Sequence, residues 1–331
     1  MNTHPSLPVS LLPGGIVGQE EELVQRISEI YGGISKLTCL KPSMEVNRLF
    51  SQLVLLCIPP NPIDCSKLAG EAQAMRGKLI RLCGEAEGLL ESHFSSLLSS
   101  HGIPLDHLSL FPYYANYVKL SHLEFTILSR HVDRPPSKVA FVGSGPLPLT
   151  SIVLAKDHLT AASFHNYDID PAANAMAARL VLPDPDISKR MVFHTADILQ
   201  VTHPLREYDV VFLAALVGMD QQEKERVVEH LARYMAAGAT LMLRSAHGAR
   251  GFLYPVVDPA TLVGFEVLSV FHPSDEVINS VVIARRLPVP GPCAGDPLVL
   301  PTKCSDLAPF NPLLLNHGGL MEELTLEEQA S

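Results

Sequence analysis

An α/β fold, a Rossmann-like doubly wound sheet preceded by an α-helical domain, is what three features of this sequence predict. The first is a turn. Residues 139–142 form an apolar run without clear alternation, as in a parallel strand buried on both faces, and the run stops at Gly143-Ser144-Gly145. Two glycines there permit a tight turn and close approach of a ligand to backbone. The second is an acid. A further strand-like run, 164–169, carries Asp168 at the spacing from the turn where such sheets place an acceptor for ribose hydroxyls. The third is a change of period at Arg134-Pro135-Pro136, with helical spacing before it and alternating strands and helices after it.

The elements follow in order. Glu20, Glu21 and Glu22 fall in a first helical turn, where negative charge complements the dipole, and Leu23, Ile27 and Ile30 follow at helical spacing. Pro42-Ser43 caps a second helix over 44–57, which Pro59-Pro60 closes. One long helix is expected over 66–98, bent at Gly84, then a pair of helical stretches over 106–131 around Pro112. Past the prolines, strands are expected at 139–142, 164–169, 191–193, 210–213 and 240–243. Helices start at Leu147 and at Pro171, a residue tolerated in a first turn, and run over 221–235. Residues 265–271 and 277–284 read as two last strands, paired antiparallel at one edge. The expected domains are 1–133, helical; 134–287, ligand-binding; and 288–331, a flexible tail rich in proline and ending in acid.

Composition excludes several classes. The chain has 331 residues, 47% of them apolar, enough for a sizeable core. A net charge of −10 argues against nucleic-acid or anionic-membrane binding, which needs clustered Lys and Arg. The 6 cysteines show no Cys-x-x-Cys and no metal-ligand spacing with histidine, and read as free thiols in a reducing compartment. No basic segment precedes the N-terminal apolar stretch, which Pro8 and Pro13 interrupt, so no signal peptide is expected. The longest apolar run, 210–219, is too short to span a bilayer. No metal site is expected from the 14 histidines, and Ser144 does not sit in a Gly-x-Ser-x-Gly elbow.

The turn narrows the ligand. A dinucleotide fingerprint would place a third glycine at Pro148, and there is no Gly-Lys-Ser/Thr of a P-loop. S-adenosylmethionine (SAM) carries an adenosine and no phosphate, so the expected fold is class I methyltransferase-like. Gly143, Ser144, Gly145, Pro146, Asp168 and Asp170 are the candidate binding residues, set against an ordinary strand-turn with surface acids. Asp197, after the third strand, either accepts from the adenine amine or caps a helix. Ala214 begins a run of small residues that leaves room for the methionine end. Arg244, His247 and Arg250, punctuated by glycines, either grip carboxylates or form a solvated loop. Glu87 and Glu91 share a helix face beside Glu85, ordinarily the wet side of a helix. Tyr113, Tyr114 and Tyr117 fit aromatic packing against the sheet.

Longer words in the chain carry a resemblance. Val142-Gly-Ser-Gly-Pro-Leu-Pro-Leu-Thr150, Asn166-Tyr-Asp-Ile-Asp-Pro171, Ser245-Ala-His-Gly-Ala-Arg250 and Glu276-Val-Ile-Asn-Ser280, with Phe111-Pro-Tyr-Tyr114, resemble the plant nicotianamine synthases over about 22–286. The resemblance implies an enzyme that consumes three SAM molecules, transfers 3-amino-3-carboxypropyl groups, closes an azetidine ring and releases methylthioadenosine. Its product is a metal chelator of iron homeostasis, and the protein itself needs no metal. It also implies a cytoplasmic protein with some vesicle association, for which Tyr208-Asp-Val-Val211 fits a sorting pattern, although a structural role for Tyr208 before a core strand weighs more. Small-molecule SAM is the expected partner, without nucleic acid or membrane insertion, and a homo-oligomer is compatible. Phe141 and Leu147 stand where methyltransferases carry an acid and a third glycine, which suggests that the methionine end lies differently. The attacking amine then needs a base, expected among Glu85, Glu87 and Glu91 with one of the three tyrosines. An ordinary methyltransferase and an inactive SAM-fold protein are the other two readings.

Overall fold

The computed structural model describes residues 14–61 and 63–288; the expected tail from residue 289 lies outside them. α1 (Gly14–Ile34) packs on α2 (Met44–Cys57). The cap of α2 is Ser43, whose Oγ accepts from Val46 N–H at 3.3 Å. Val46, Leu49, Leu53 and Cys57 then form its buried stripe. α3 (Gly70–Leu98) begins later than the spacing predicts, because Cys65–Lys67 closes into a separate 3-10 turn capped by Asp64. It runs through Gly84 unbroken. A Cβ there would stand 3.3 Å from Met219 and 3.4 Å from Leu216, so the glycine admits a neighbouring loop rather than a bend. After a 3-10 stretch at Pro104–Leu110 comes α4 (Tyr114–Ser129).

The second half alternates: β1 (Lys138–Val142), α5 (Leu149–Val153) with a π-type extension at Leu154–His158, β2 (Ser163–Asp168) and α6 (Pro171–Val181). Then follow α7 (Pro185–Arg190), β3 (Met191–Thr195), β4 (Val210–Leu213), α8 (Gln221–Tyr234), β5 (Thr240–Ser245), β6 (Phe265–Phe271) and β7 (Ser280–Arg286). The strands form one sheet in the order β3-β2-β1-β4-β5-β7-β6. β7 is antiparallel to β5 and β6, and the other neighbours are parallel. Chain order reverses at β1, so the loops leaving β1 and β4 splay apart at the carboxyl edge and open a crevice there. β7 starts at Ser280 and not near residue 277: Val277 is buried in the core between sheet and helices and Ile278 in that of the N-terminal helices, and neither pairs with β5.

Val210 and Val211 are wholly buried in β4, and Tyr208, 3% exposed, shares a 2.6 Å hydroxyl contact with Tyr167. The Tyr208-Asp-Val-Val211 pattern is therefore core. Among the described residues no helix is long and apolar enough to cross a membrane, and Cys39, Cys57, Cys65 and Cys83 are free.

Candidate active site

The loops after β1, β2, β4 and β5 enclose a cavity of about 700 Å³ roofed by α3. Gly143 and Gly145 have φ of +82° and +66°, a region that favours glycine. A Cβ on Gly143 would meet Val217 at 2.3 Å, and one on Gly145 would meet Glu91 Oε2 at 2.7 Å. The turn therefore lies hard against the β4 loop on one side and α3 on the other. Asp168 fastens it: Oδ2 accepts from Gly145 N–H at 2.8 Å and Oδ1 from Asp170 N–H at 3.0 Å. Asp170 caps α6 through Ala172 N–H at 2.8 Å, and Asp197 caps a 3-10 turn through Leu199 N–H at 3.0 Å. Both also line the cavity, as do Ser144, Pro146 and Ala214. The Ser144 hydroxyl is buried without a partner among the described residues.

A second cavity of about 510 Å³ lies among α2, α3 and α4. Glu87, Tyr117, Tyr254 and Asn279 belong to both walls. The Tyr117 hydroxyl lies 3.2 Å from Glu87 Oε1 and 3.2 Å from Glu91 Oε1, and Tyr254 donates to Glu87 Oε2 at 2.9 Å. A phenol has one hydrogen and cannot donate to two carboxylates. The arrangement is satisfied when one glutamate keeps its proton and donates to Tyr117. Electrostatics agrees. Burial raises the pKa of Glu87, and burial followed by the charge of Glu87 raises that of Glu91 well above the ordinary 4.5. Burial and the adjacent carboxylates lift Tyr117 and Tyr254 well above 10, so both are neutral phenols.

The remaining expected residues divide. Glu85 is exposed at the rim of the first cavity; Tyr113 lines only the second, and Tyr114 packs on the core and lines neither. The expected carboxylate grip needs correction. Arg244 lines the first cavity, but its fork is bound by Glu124, Nε to Oε1 at 2.7 Å and Nη2 to Oε2 at 2.9 Å, with Nη2 also 2.6 Å from Thr150 Oγ1. Its Nη1 has no acceptor among the described residues' side chains and carbonyls. Arg250 donates to the carbonyls of Ile58, Pro273 and Asp275, because the 3-10 turn Gly248–Phe252 buries it against them. His247 is exposed, stacked on His272 at 4.0 Å between centroids. Neither Arg250 nor His247 lines either of these two cavities.

Sequence reasoning missed Tyr254, Asn279, Glu124 and Lys224 as parts of the site. Lys224, on α8, is 4% exposed and donates to the carbonyls of Ala214, Ala215 and Val217 in the loop that floors the first cavity. Burial draws its pKa down to about 7, opposed by the charge of Glu223. Lys224→Met is expected to leave these carbonyls unpaired, costing about 2 kcal/mol or more. A lower thermal midpoint together with weaker ligand binding in the cavity is the expected result; an unchanged midpoint would show that the loop holds itself.

A glycine turn after β1, an acid at the end of β2 and a β7 hairpin edge define a Rossmann-like α/β protein of the SAM-dependent class, here with a helical roof that carries carboxylates. Comparison with known proteins narrows this. The chain belongs to the nicotianamine synthase family, whose profile, described as nicotianamine synthase protein, matches residues 17–290. It is 61% identical over 311 residues to nicotianamine synthase of Solanum lycopersicum, covering 92% of this chain and 98% of that one. It is 60% identical over 274 residues to nicotianamine synthase 3 of Arabidopsis thaliana, covering 82% and 86%. Among solved structures, MtNAS in complex with MTA and tNA superposes with a TM-score of 0.67 at 22% identity, over 81% of this chain and 98% of that one.

Proposed function

We propose that the two cavities divide one reaction, the condensation of three SAM molecules to nicotianamine. The relatives named above carry that activity in their names, and an MtNAS mutant of the same fold is solved with S-adenosylmethionine. The first cavity takes a SAM as donor. Its turn at Gly143 and Gly145, with Asp168, Asp170 and Asp197, faces the adenosine, and Ala214 leaves room beside the sulfonium. The second cavity takes the acceptor, whose α-amine reaches the donor through the shared wall. In each step a C–N bond forms at the donor γ-carbon, the C–S bond breaks and its electrons stay on sulfur, giving neutral methylthioadenosine. The amine gives up one proton. Two steps join units and the third closes the four-membered ring within the chain, so three protons leave per product.

The observation that carries this reading is the Glu87–Tyr117–Glu91 group at the wall between the cavities. A methyltransferase of the same fold need not have a pair of adjoining buried carboxylates, one of which, Glu87, opens onto a second chamber. Holding the amine in line with the γ-carbon, not the methyl carbon, selects the bond that breaks. Glu87, in contact with both cavities and with Tyr254, is the base; Glu91, buried beside the charge of Glu87, holds the shared proton; Tyr117 orients both. Arg244, fixed by Glu124, offers Nη1 to a substrate carboxylate. The net charge of −10 and the free thiols suit a small-molecule enzyme of the cytoplasm.

One chromatogram tests it. Purified protein given SAM alone is expected to release methylthioadenosine and accumulate a three-unit tricarboxylate. S-adenosylhomocysteine formed only after an acceptor is added would make the protein a methyltransferase. SAM binding without consumption would make it an inactive relative.

A further inference from the structure

Asn279 reaches the site by a route that the parallel strands do not use. β7 runs antiparallel to β5 with Ser280 opposite Ser245, so its N-terminal end arrives at the edge where the parallel strands release their loops. Asn279 immediately precedes that end. It is 8% exposed, it lines both cavities, and its Nδ2 has no hydrogen-bond partner among the described residues. Leaving such a donor unpaired costs about 1–3 kcal/mol, so a side chain held there without a protein acceptor points to a ligand that supplies one.

The chain around Asn279 is fastened from several sides. Arg250 donates to the carbonyls of Pro273 and Asp275, Asn116 Nδ2 donates to Glu276 O at 2.7 Å, and Val277 N–H donates to Asp275 Oδ1 at 3.1 Å. Arg250 thus grips the backbone that presents Asn279. The chemistry of the second cavity supplies the other half of the argument. No lysine or arginine lines it. An acceptor that is an α-amino acid brings a carboxylate into that space; of the other polar side chains there, His93 and Asn47 are exposed and Asn116 is held by Glu276 O, which leaves Asn279 as the buried donor to meet it. Asn279 is the buried side chain on the shared wall with a donor to give; the other three, Glu87, Tyr117 and Tyr254, are engaged with one another or with Glu91.

We propose that Asn279 binds the α-carboxylate of the acceptor amino acid through its side-chain amide and so sets the attacking amine against Glu87 at the wall between the cavities. The assignment rests on the proposed reaction, and wild-type protein incubated with SAM alone is the control for it. If wild type yields no methylthioadenosine, the reaction fails; if it does, the variants judge Asn279.

The variants are Asn279→Ser, which keeps a shorter donor, Asn279→Ala, which has none, and Asn279→Asp, which keeps the shape but presents negative charge. SAM affinity by calorimetry is expected to stay within about threefold of wild type in all three. Methylthioadenosine release is expected to fall in the order Ser, Ala, Asp, by about 10-fold to 100-fold for Ala. A two-unit intermediate should escape into solution, because its carboxylate is no longer held. A packing role predicts the opposite order, with the isosteric Asp closer to wild type than Ala. That order, wild-type rates throughout, or loss of SAM affinity in step with turnover would each overturn the proposal. Should Ala fail to fold, the comparison of Ser with Asp still reads the sign.

Discussion

Glu87→Gln is expected to lower turnover of SAM by about 10²-fold or more while SAM affinity changes only a few-fold. Glutamine keeps one oxygen to accept from one of the two tyrosines and turns an NH2 to the oxygen of the other, so the wall keeps its size and most of its shape, but it cannot take the amine's proton. Glu91→Gln should cost less, since a neutral amide resembles the protonated carboxyl proposed for that position, whereas Glu87 also accepts from Tyr254 as an ionised carboxylate would. The pH profile separates the two. A base is active when deprotonated, and burial raises the pKa of Glu87, so wild-type turnover should climb with pH through a value above the ordinary 4.5. Glu87→Gln removes that limb; Glu91→Gln keeps it. Stability carries a second signature. The folded-state pKa of Glu91 is raised, so its contribution is fully present below 4.5 and is lost as pH rises through the folded value. Glu91→Gln should therefore melt above wild type in alkali and match it in acid. Wild-type turnover in both glutamine variants would move the base elsewhere.

Asp168→Ala is expected to abolish measurable SAM binding. Two effects combine. The ribose hydroxyls lose an acceptor, and Gly145 and Asp170 lose the carboxylate that holds their N–H groups at 2.8 and 3.0 Å. The second effect gives this variant a stability cost, about 1–2 kcal/mol, which a free strand-end acid would not have had. Asp168→Asn retains one acceptor and the size of the side chain. It should recover much of the melting temperature and little of the affinity. Calorimetric titration showing unchanged SAM affinity in the alanine variant would remove Asp168 from the binding site.

Elements whose signals are local were legible in the chain. Ser43 caps α2 where expected and β4 spans 210–213, because a cap and a four-residue apolar run need no distant partner. α7 went unseen, since the six residues of Pro185–Arg190 are too few to show a period. The site was legible on its β1 and β2 side, where a glycine turn and an acid are marked by type and spacing. Its other side was not. Arg244 meets Glu124 across 120 residues of sequence, and nothing in either neighbourhood announces the pair. A free arginine in a glycine-rich loop and one bound by a buried carboxylate look alike until the helix that carries Glu124 is placed. Tyr254 carries no signal of a role in the sequence and Asn279 falls in the stretch expected as a last strand; only the folding of β7 back along β5 gives Asn279 its position.

The burial of Tyr208 bears on any study of where this protein travels in a cell. A receptor that reads a tyrosine sorting signal binds an extended peptide with its aromatic ring and distal aliphatic residue free. Here the ring is closed in against Tyr167, and Val210 and Val211 belong to a central strand. Adaptor engagement would require drawing that strand out of the sheet, which is to say unfolding the enzyme. Truncating a buried aromatic of this size costs about 3–5 kcal/mol. A Tyr208→Ala protein that loses its normal distribution would thus report retention by the quality-control machinery, with its half-life shortened in parallel, and not the loss of an address.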